Sequence, residues 1–173
     1  MNEPTSRALL ERLIGFATVS RDSNLELIEF IREYLAGFGV ASELFHNAEG
    51  TKANLFATIG PTDRGGVVLS GHTDVVPVDG QAWTVEPFQL SERDGRLYGR
   101  GTADMKGFIA CVLAAVPELV QRPLQVPVHL AFSYDEEVGC LGVRSMLAEL
   151  EKRPHKPTPV SYTHLTLPTT PYV

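Results

Sequence analysis

VVLSGHTDVVP, residues Val67 to Pro77, opens with a compact apolar run and turns polar at Gly71, His72, Thr73 and Asp74. A run of this kind reads as a buried strand, so its polar residues emerge where the strand leaves the core. Two further segments repeat the arrangement. LYGRGTADMKG (Leu97 to Gly107) follows a glycine-containing lead-in, and LAFSYDEEVGC (Leu130 to Cys140) continues the apolar run from Val126 to Tyr134. In an open α/β sheet the carboxyl edge of the strands is where ligands bind. One histidine and several carboxylates brought to such an edge from three separated segments suit a divalent-metal hydrolase, because imidazole and carboxylate together bind zinc well.

His72 and Asp74 lie two apart on an extended segment, so they point to the same side. Taken alone the pair also fits a structural histidine beside an aspartate. Asp135, Glu136 and Glu137 follow a buried strand directly, and three successive carboxylates there repel one another unless a cation or protons offset the charge; an exposed acidic turn is the plainer alternative. Gly95 to Gly101 supplies a short strand and a tight glycine turn, after which Asp104 precedes a helix from about Met105 to Leu119. A glycine-rich turn opening a helix can cradle a phosphate, but GTADMKG matches neither the P-loop nor the dinucleotide fingerprint, and its Asp would repel an anion. That helix is apolar nearly all round, Cys111 included, which argues for burial, and Pro117 is expected to bend or restart it.

Elsewhere the pattern is scaffold. Thr5 or Ser6 can cap a first helix that buries Leu9, Leu10, Leu13 and Ile14 and stops at Gly15, and a second helix from near Asn24 buries Ile28, Ile31 and Leu35. Ser42 to His46 and Asn54 to Ile59 read as paired strands across the NAEGTK turn, with His46 at the surface. The stretch from Asp79 to Ser91 is a loop over the sheet edge whose Trp83 either covers the site or packs. His129 lies inside a strand and reads as a core or second-layer residue. A last helix runs from Val143 to Leu150. Together these give an α/β fold, a mixed, largely parallel sheet with helices on both faces.

The chain of 173 residues is 43% hydrophobic, enough for one domain around one sheet. A formal charge of −6 with no basic run longer than two residues excludes the electrostatic footprint of a nucleic-acid binder or of a protein drawn to an anionic membrane. Small molecules are the expected partners. Glu3 and Pro4 stand where a signal peptide needs a basic start and an apolar core, so a cytoplasmic protein is expected. Cys111 and Cys140 show no CxxC spacing and read as reduced structural thiols. The run VSYTHLTLPT from Val160 has no patterned relation to what precedes it and resembles the translated read-through of a sequencing adapter. Residues 1–159 are therefore taken as the native part and 160–173, His164 included, as a non-native tail set aside from fold reasoning.

Up to about Pro159 the chain resembles the first part of the catalytic domain of the M20 metallopeptidase family. SGHTDVVPVDG (Ser70 to Gly80), LYGRGTADMKG and FSYDEEVGCLG (Phe132 to Gly142) carry the resemblance, supported by TKANLFATIGP (Thr51 to Pro61). It implies a zinc-dependent exopeptidase-like catalytic domain with two Zn2+ per subunit, Co2+ being an alternative metal. His72 would bind one metal, Asp104 bridge both and Glu137 bind the other, with Asp74 orienting His72 and Glu136 acting as general base. The resemblance also implies a cis peptide between Asp104 and Met105. The implied substrate is a small N-acyl amino acid: N2-acetylornithine in the best-matching branch, cleaved to ornithine and acetate in arginine biosynthesis, with succinyl-diaminopimelate or another acylamino acid as alternatives. The family pattern continues with a further acidic ligand, an inserted lid domain through which the parent forms a homodimer, and a last histidine ligand, none of which is found here. The chain itself is thus expected to be an inactive fragment. A non-catalytic metal-binding fragment and a small binding module with an acidic edge and no metal are the competing classes.

Overall fold

The computed structural model describes residues 5–156 and the backbone of 160–161. Helix α1 (Ser6–Ile14) begins where the Thr5 side-chain oxygen accepts the Ala8 N–H at 3.2 Å, and it buries Leu9, Leu10, Leu13 and Ile14. Helix α2 (Leu25–Gly37) starts after Asn24, whose side chain does not cap it. The Asn24 amide instead donates to the Ala53 carbonyl at 2.9 Å and accepts the Ala53 N–H at 3.0 Å, stitching the helix start to the sheet.

Strands β1 (Ser42–His46) and β2 (Ala53–Ile59) pair antiparallel, with His46 exposed. Then come β3 (Val67–His72), the hairpin β4 (Ser91–Arg93) and β5 (Arg96–Tyr98), α3 (Lys106–Gln121), β6 (Val128–Ser133), α4 (Val143–Leu150) and β7 (Val160–Ser161). The hairpin turns on Asp94 and Gly95, at φ 54° and 69°, the left-handed pair that matches strand twist in a two-residue loop. Its first strand, the polar Ser-Glu-Arg, carried no strand pattern in the sequence.

The five-stranded sheet runs β1-β2-β6-β3-β7. Within this sheet the described pairings divide evenly: β1–β2 and β2–β6 are antiparallel, β6–β3 and β3–β7 parallel. The sheet is mixed, as expected from the sequence, but parallel in half of its pairings rather than in most, with parallel pairing confined to the half where α3 and α4 make the crossovers. Alternation along β2 sends Leu55, Ala57 and Ile59 into the core under α1, α2 and α3, and sends Phe56 to the other face with Val68, Ala131 and Met146 of α4. Helices therefore cover both faces.

Three expectations need correcting. Helix α3 passes through Pro117 without a break. Pro117 has no N–H for the Leu113 carbonyl, and the Tyr34 hydroxyl donates to that carbonyl at 3.0 Å instead. Tyr34→Phe is accordingly expected to cost about 1 kcal/mol in chemical denaturation, the loss of one partner from a shielded carbonyl. Second, Cys111 is exposed, as is Cys140, so α3 is not buried all round and neither thiol is a core residue. Third, the apolar run from Val126 enters the sheet only at Val128, and Val126 is 51% exposed. In the stretch expected to be a non-native tail, Val160–Ser161 pair with Val68–Leu69 at the edge of β3. Ladder pairing uses only backbone groups, so an extended segment of almost any sequence can satisfy an open strand edge. His164 lies outside the described residues.

Candidate metal centre

The parallel register of β3 and β6 sets His72 beside Ser133, so both strands end at the same edge. Past β3, Thr73 donates through its N–H and its hydroxyl to the Ser133 carbonyl, both at 2.8 Å, locking the two strand ends together. Past β6, Asp135 adopts a left-handed φ of 55°. This bend removes the opposite-face alternation that an extended chain would impose on Glu136 and Glu137. Gly142 permits the return into α4, since a Cβ there would sit 2.1 Å from the Tyr134 carbonyl oxygen.

His72 is fully buried. Its Nδ1 lies 2.8 Å from the Asp74 carbonyl oxygen and 3.5 Å from Asp74 Oδ1. A carbonyl only accepts, so Nδ1 carries the hydrogen and Nε2 faces the site. There Nε2 lies 2.9 Å from Asp104 Oδ1 and 3.8 Å from Glu136 Oε2. One ligand atom each from His72, Glu136 and Glu137 lie within 4.8 Å of one another. Ligands at about 2.0 to 2.2 Å from one zinc can stand up to about 4.4 Å apart, so side-chain shifts of a few tenths of an ångström would close this set on an ion. The peptide between Asp104 and Met105 is cis.

Asp74 is the hub beneath. Its carboxylate accepts the Ser20 hydroxyl at 2.6 Å, the Glu136 N–H at 3.1 Å and the Glu137 N–H at 3.2 Å. Burial pushes its pKa up, but bonds from His72, Ser20 and the Glu136 amide outweigh that and hold it below the usual range. Burial pushes the His72 imidazole down, yet the Asp74 carboxylate and carbonyl, with Glu136, prevail and raise its pKa to about 9. Glu137 is raised by burial and then by repulsion from Asp104, Glu136 and Asp74, which outweigh the attraction of His72. A pocket of this charge favours a cation.

The raised His72 value has a measurable consequence. At neutral pH the ring holds a proton that a metal at Nε2 must displace, so zinc binding by this chain is expected to release protons and to tighten as pH rises toward about 9. Titration calorimetry in buffers of different ionisation enthalpy checks the sign. An affinity flat from pH 6 to 9 would mean that His72 is not a ligand.

Every residue proposed from the sequence for the site, His72, Asp74, Asp104, Glu136 and Glu137, lies at this edge. Sequence reasoning missed three supporting residues. Ser20 carries one of the four contacts to Asp74. Lys52 donates to Asp135 Oδ1 at 2.6 Å. Lys106 is fully buried, donates to the carbonyls of Leu13 at 3.0 Å and Phe16 at 2.6 Å, and is pushed by burial down to about 7. It thereby satisfies carbonyls at the carboxyl end of α1, where a cation is favoured. Only the lysine in DMKG, at the start of an apolar helix, was a visible anomaly. Trp83 packs under the Arg100 guanidinium, 5.0 Å from ring centre to Cζ, and Arg100 lines a small cleft of about 190 Å³ with Asp104 and Glu137. A roomier cavity of about 720 Å³, bordered by Phe56, Thr58, His129 and Arg153, shares no residue with the cluster.

Residues 68–172 match the family described as Peptidase family M20/M25/M40. The chain belongs to peptidase family M20. It is 43% identical over 159 residues to the acetylornithine deacetylase of Pasteurella multocida (strain Pm70) and 38% identical over 158 residues to that of Proteus mirabilis (strain HI4320), covering 87% of this chain and 41% of each relative. Solved M20 structures share the fold: the metallo-carboxypeptidase Sso-CP2 of Sulfolobus solfataricus (TM-score 0.73, 25% identity, 86% of this chain and 34% of that one) and human carnosine dipeptidase 1 (TM-score 0.71, 25% identity, 86% and 35%). The chain thus spans about two fifths of the length of these curated relatives. M20 membership makes it part of a metal-dependent hydrolase family, in keeping with the His72, Glu136 and Glu137 group. No helix among the described residues is long and apolar enough to cross a membrane.

Proposed function

We propose that this chain is the metal-binding part of a cytoplasmic zinc amide hydrolase that removes the acetyl group from N2-acetylornithine, yielding ornithine and acetate for arginine biosynthesis. The convergence of His72, Asp104, Glu136 and Glu137 on one sheet edge carries the reading. His72 Nε2, Asp104 and Glu137 would hold two Zn2+ ions. Bound there, the ions would supply Lewis acidity to the amide carbonyl and acidify the attacking water. Glu136 takes the water's proton as the oxygen adds to the carbonyl carbon, then delivers it to the leaving nitrogen as the C–N bond breaks. Asp74 keeps the imidazole turned so that Nε2 faces the site. The complete protein would work as a homodimer through a lid domain, with a small N-acyl amino acid as its only partner in the site.

The test is hydrolysis of N2-acetylornithine and of N-succinyl-diaminopimelate by a protein extended to the length of its relatives, stripped with chelator and reloaded with Zn2+ or Co2+. Faster turnover of the succinyl substrate would move the chain to the desuccinylase branch. The three metal-ligating residues assigned here leave two zinc ions short of the ligands such sites usually carry, which favours a second reading for the 173-residue chain by itself, a metal-binding fragment without turnover. Hydrolysis by that chain at the rate of the extended protein would refute it.

A further inference from the structure

Lys52 leaves the NAEGTK turn just before β2. Asn47 shapes that turn, its side-chain oxygen accepting the N–H of Thr51 at 2.8 Å and of Lys52 at 2.9 Å. So aimed, the Lys52 ammonium reaches across to Asp135 Oδ1 at 2.6 Å and also donates to the Ser20 carbonyl. The lysine and aspartate side chains are only 14% and 19% exposed, which distinguishes this contact from the exposed ion pairs between Arg21 and Asp79 or Arg64 and Asp63. The two partners are informative. Asp135 is the left-handed residue that turns Glu136 and Glu137 toward His72, and Ser20 gives its hydroxyl to Asp74. Asp74 in turn accepts the Glu136 and Glu137 amides. The contacts close a ring: Lys52 to Asp135, along the chain to the two glutamate amides, to the Asp74 carboxylate, to Ser20, and back to Lys52.

We propose that Lys52 is a positioning residue for the metal centre, closing through Asp135 and Ser20 the ring that fixes the Glu136–Glu137 turn against Asp74. The inference rests on the reading of those glutamates as the working carboxylates. Without the ammonium, Asp135 loses the partner that holds its side chain, and the two amide bonds to Asp74 remain beside the turn's own backbone bonds, from Gly139 and Cys140 to the Glu136 carbonyl and from Leu141 to the Asp135 carbonyl.

The experiment compares the 173-residue chain with Lys52→Met, Lys52→Arg and Asp135→Asn by residue-resolved amide hydrogen exchange and by zinc affinity against a chelator dye. Exchange at Glu136 and Glu137 is expected to quicken by roughly tenfold or more in Lys52→Met and Asp135→Asn, while Leu130 and Phe132 in β6 stay as they were, and Lys52→Arg is expected to restore most of the protection. Zinc affinity is expected to fall roughly 10- to 100-fold in step. Unchanged exchange at the two glutamates, equal acceleration throughout β6, or no recovery with arginine would overturn the proposal. If Lys52→Met unfolds, Asp135→Asn, which discharges the other end of the pair, carries the same comparison. Should the parent chain bind no zinc, the metal reading of the site fails, while the exchange data still decide the role of Lys52.

Discussion

Glu136→Gln, made in a protein extended to the length of its relatives, is expected to lower turnover by roughly 10²- to 10⁴-fold with its metal content unchanged. The amide keeps the shape of the side chain and removes the proton acceptor. Glu136 Oε2 stands 3.8 Å from His72 Nε2 and Oε1 lies 3.8 Å from the Cys140 thiol, so the carboxylate belongs to the same group as His72 and Glu137, and metal content is what tells a proton acceptor from a ligand. Glu137 lines the cleft with Asp104, and burial together with repulsion from Asp104 raises its pKa, as expected for crowded carboxylates whose charge a cation would offset. Glu137→Gln should therefore weaken metal binding first, because a neutral amide replaces an anionic oxygen ligand. Elemental analysis beside turnover for both variants separates the roles. Metal loss from the Glu136 variant with full occupancy in the Glu137 variant would exchange the assignments.

Asp74→Ala is expected to be the most damaging single change to the metal-free fold at this edge. It strands the Ser20 hydroxyl and the amides of Glu136 and Glu137, and it removes the negative charge beside the buried His72. Each shielded group left without a partner costs about 1 to 3 kcal/mol, so a loss on the order of 3 kcal/mol or more should appear in chemical denaturation. The His72 pKa should drop at the same time, because burial, which pushes it down, would no longer be opposed by that carboxylate. Histidine NMR titration follows this directly. A His72 pKa still near 9 in a folded Asp74→Ala chain would show that the carboxylate is not what holds the proton. Asp74→Asn, which keeps one acceptor oxygen, should lie between the two.

The elements with strong local signals were legible in the sequence. The Thr5 cap, the apolar stripes of α1 and α2 and the buried run of β6 declare themselves through neighbours along the chain, while His72, Asp74, Asp104, Glu136 and Glu137 stand out after apolar or glycine-rich lead-ins and were singled out, with their roles, by the resemblance to the M20 motifs. Pattern within a segment carries that much, since burial imposes the period of the element on the residues that share it. Only the tertiary structure decided which segments meet. The edge pairing of Val160–Ser161 depends on an open strand edge more than on side chains, the continuity of α3 through Pro117 depends on a tyrosine from α2, and the exposure of Cys111 depends on which side of α3 the sheet takes. The same holds for Ser20, Lys52 and Lys106. Ser20 and Lys52 are ordinary polar residues in their own segments, Lys106 stands out only as a lysine opening an apolar helix, and each acquires its role from a carbonyl or carboxylate contributed by a distant segment.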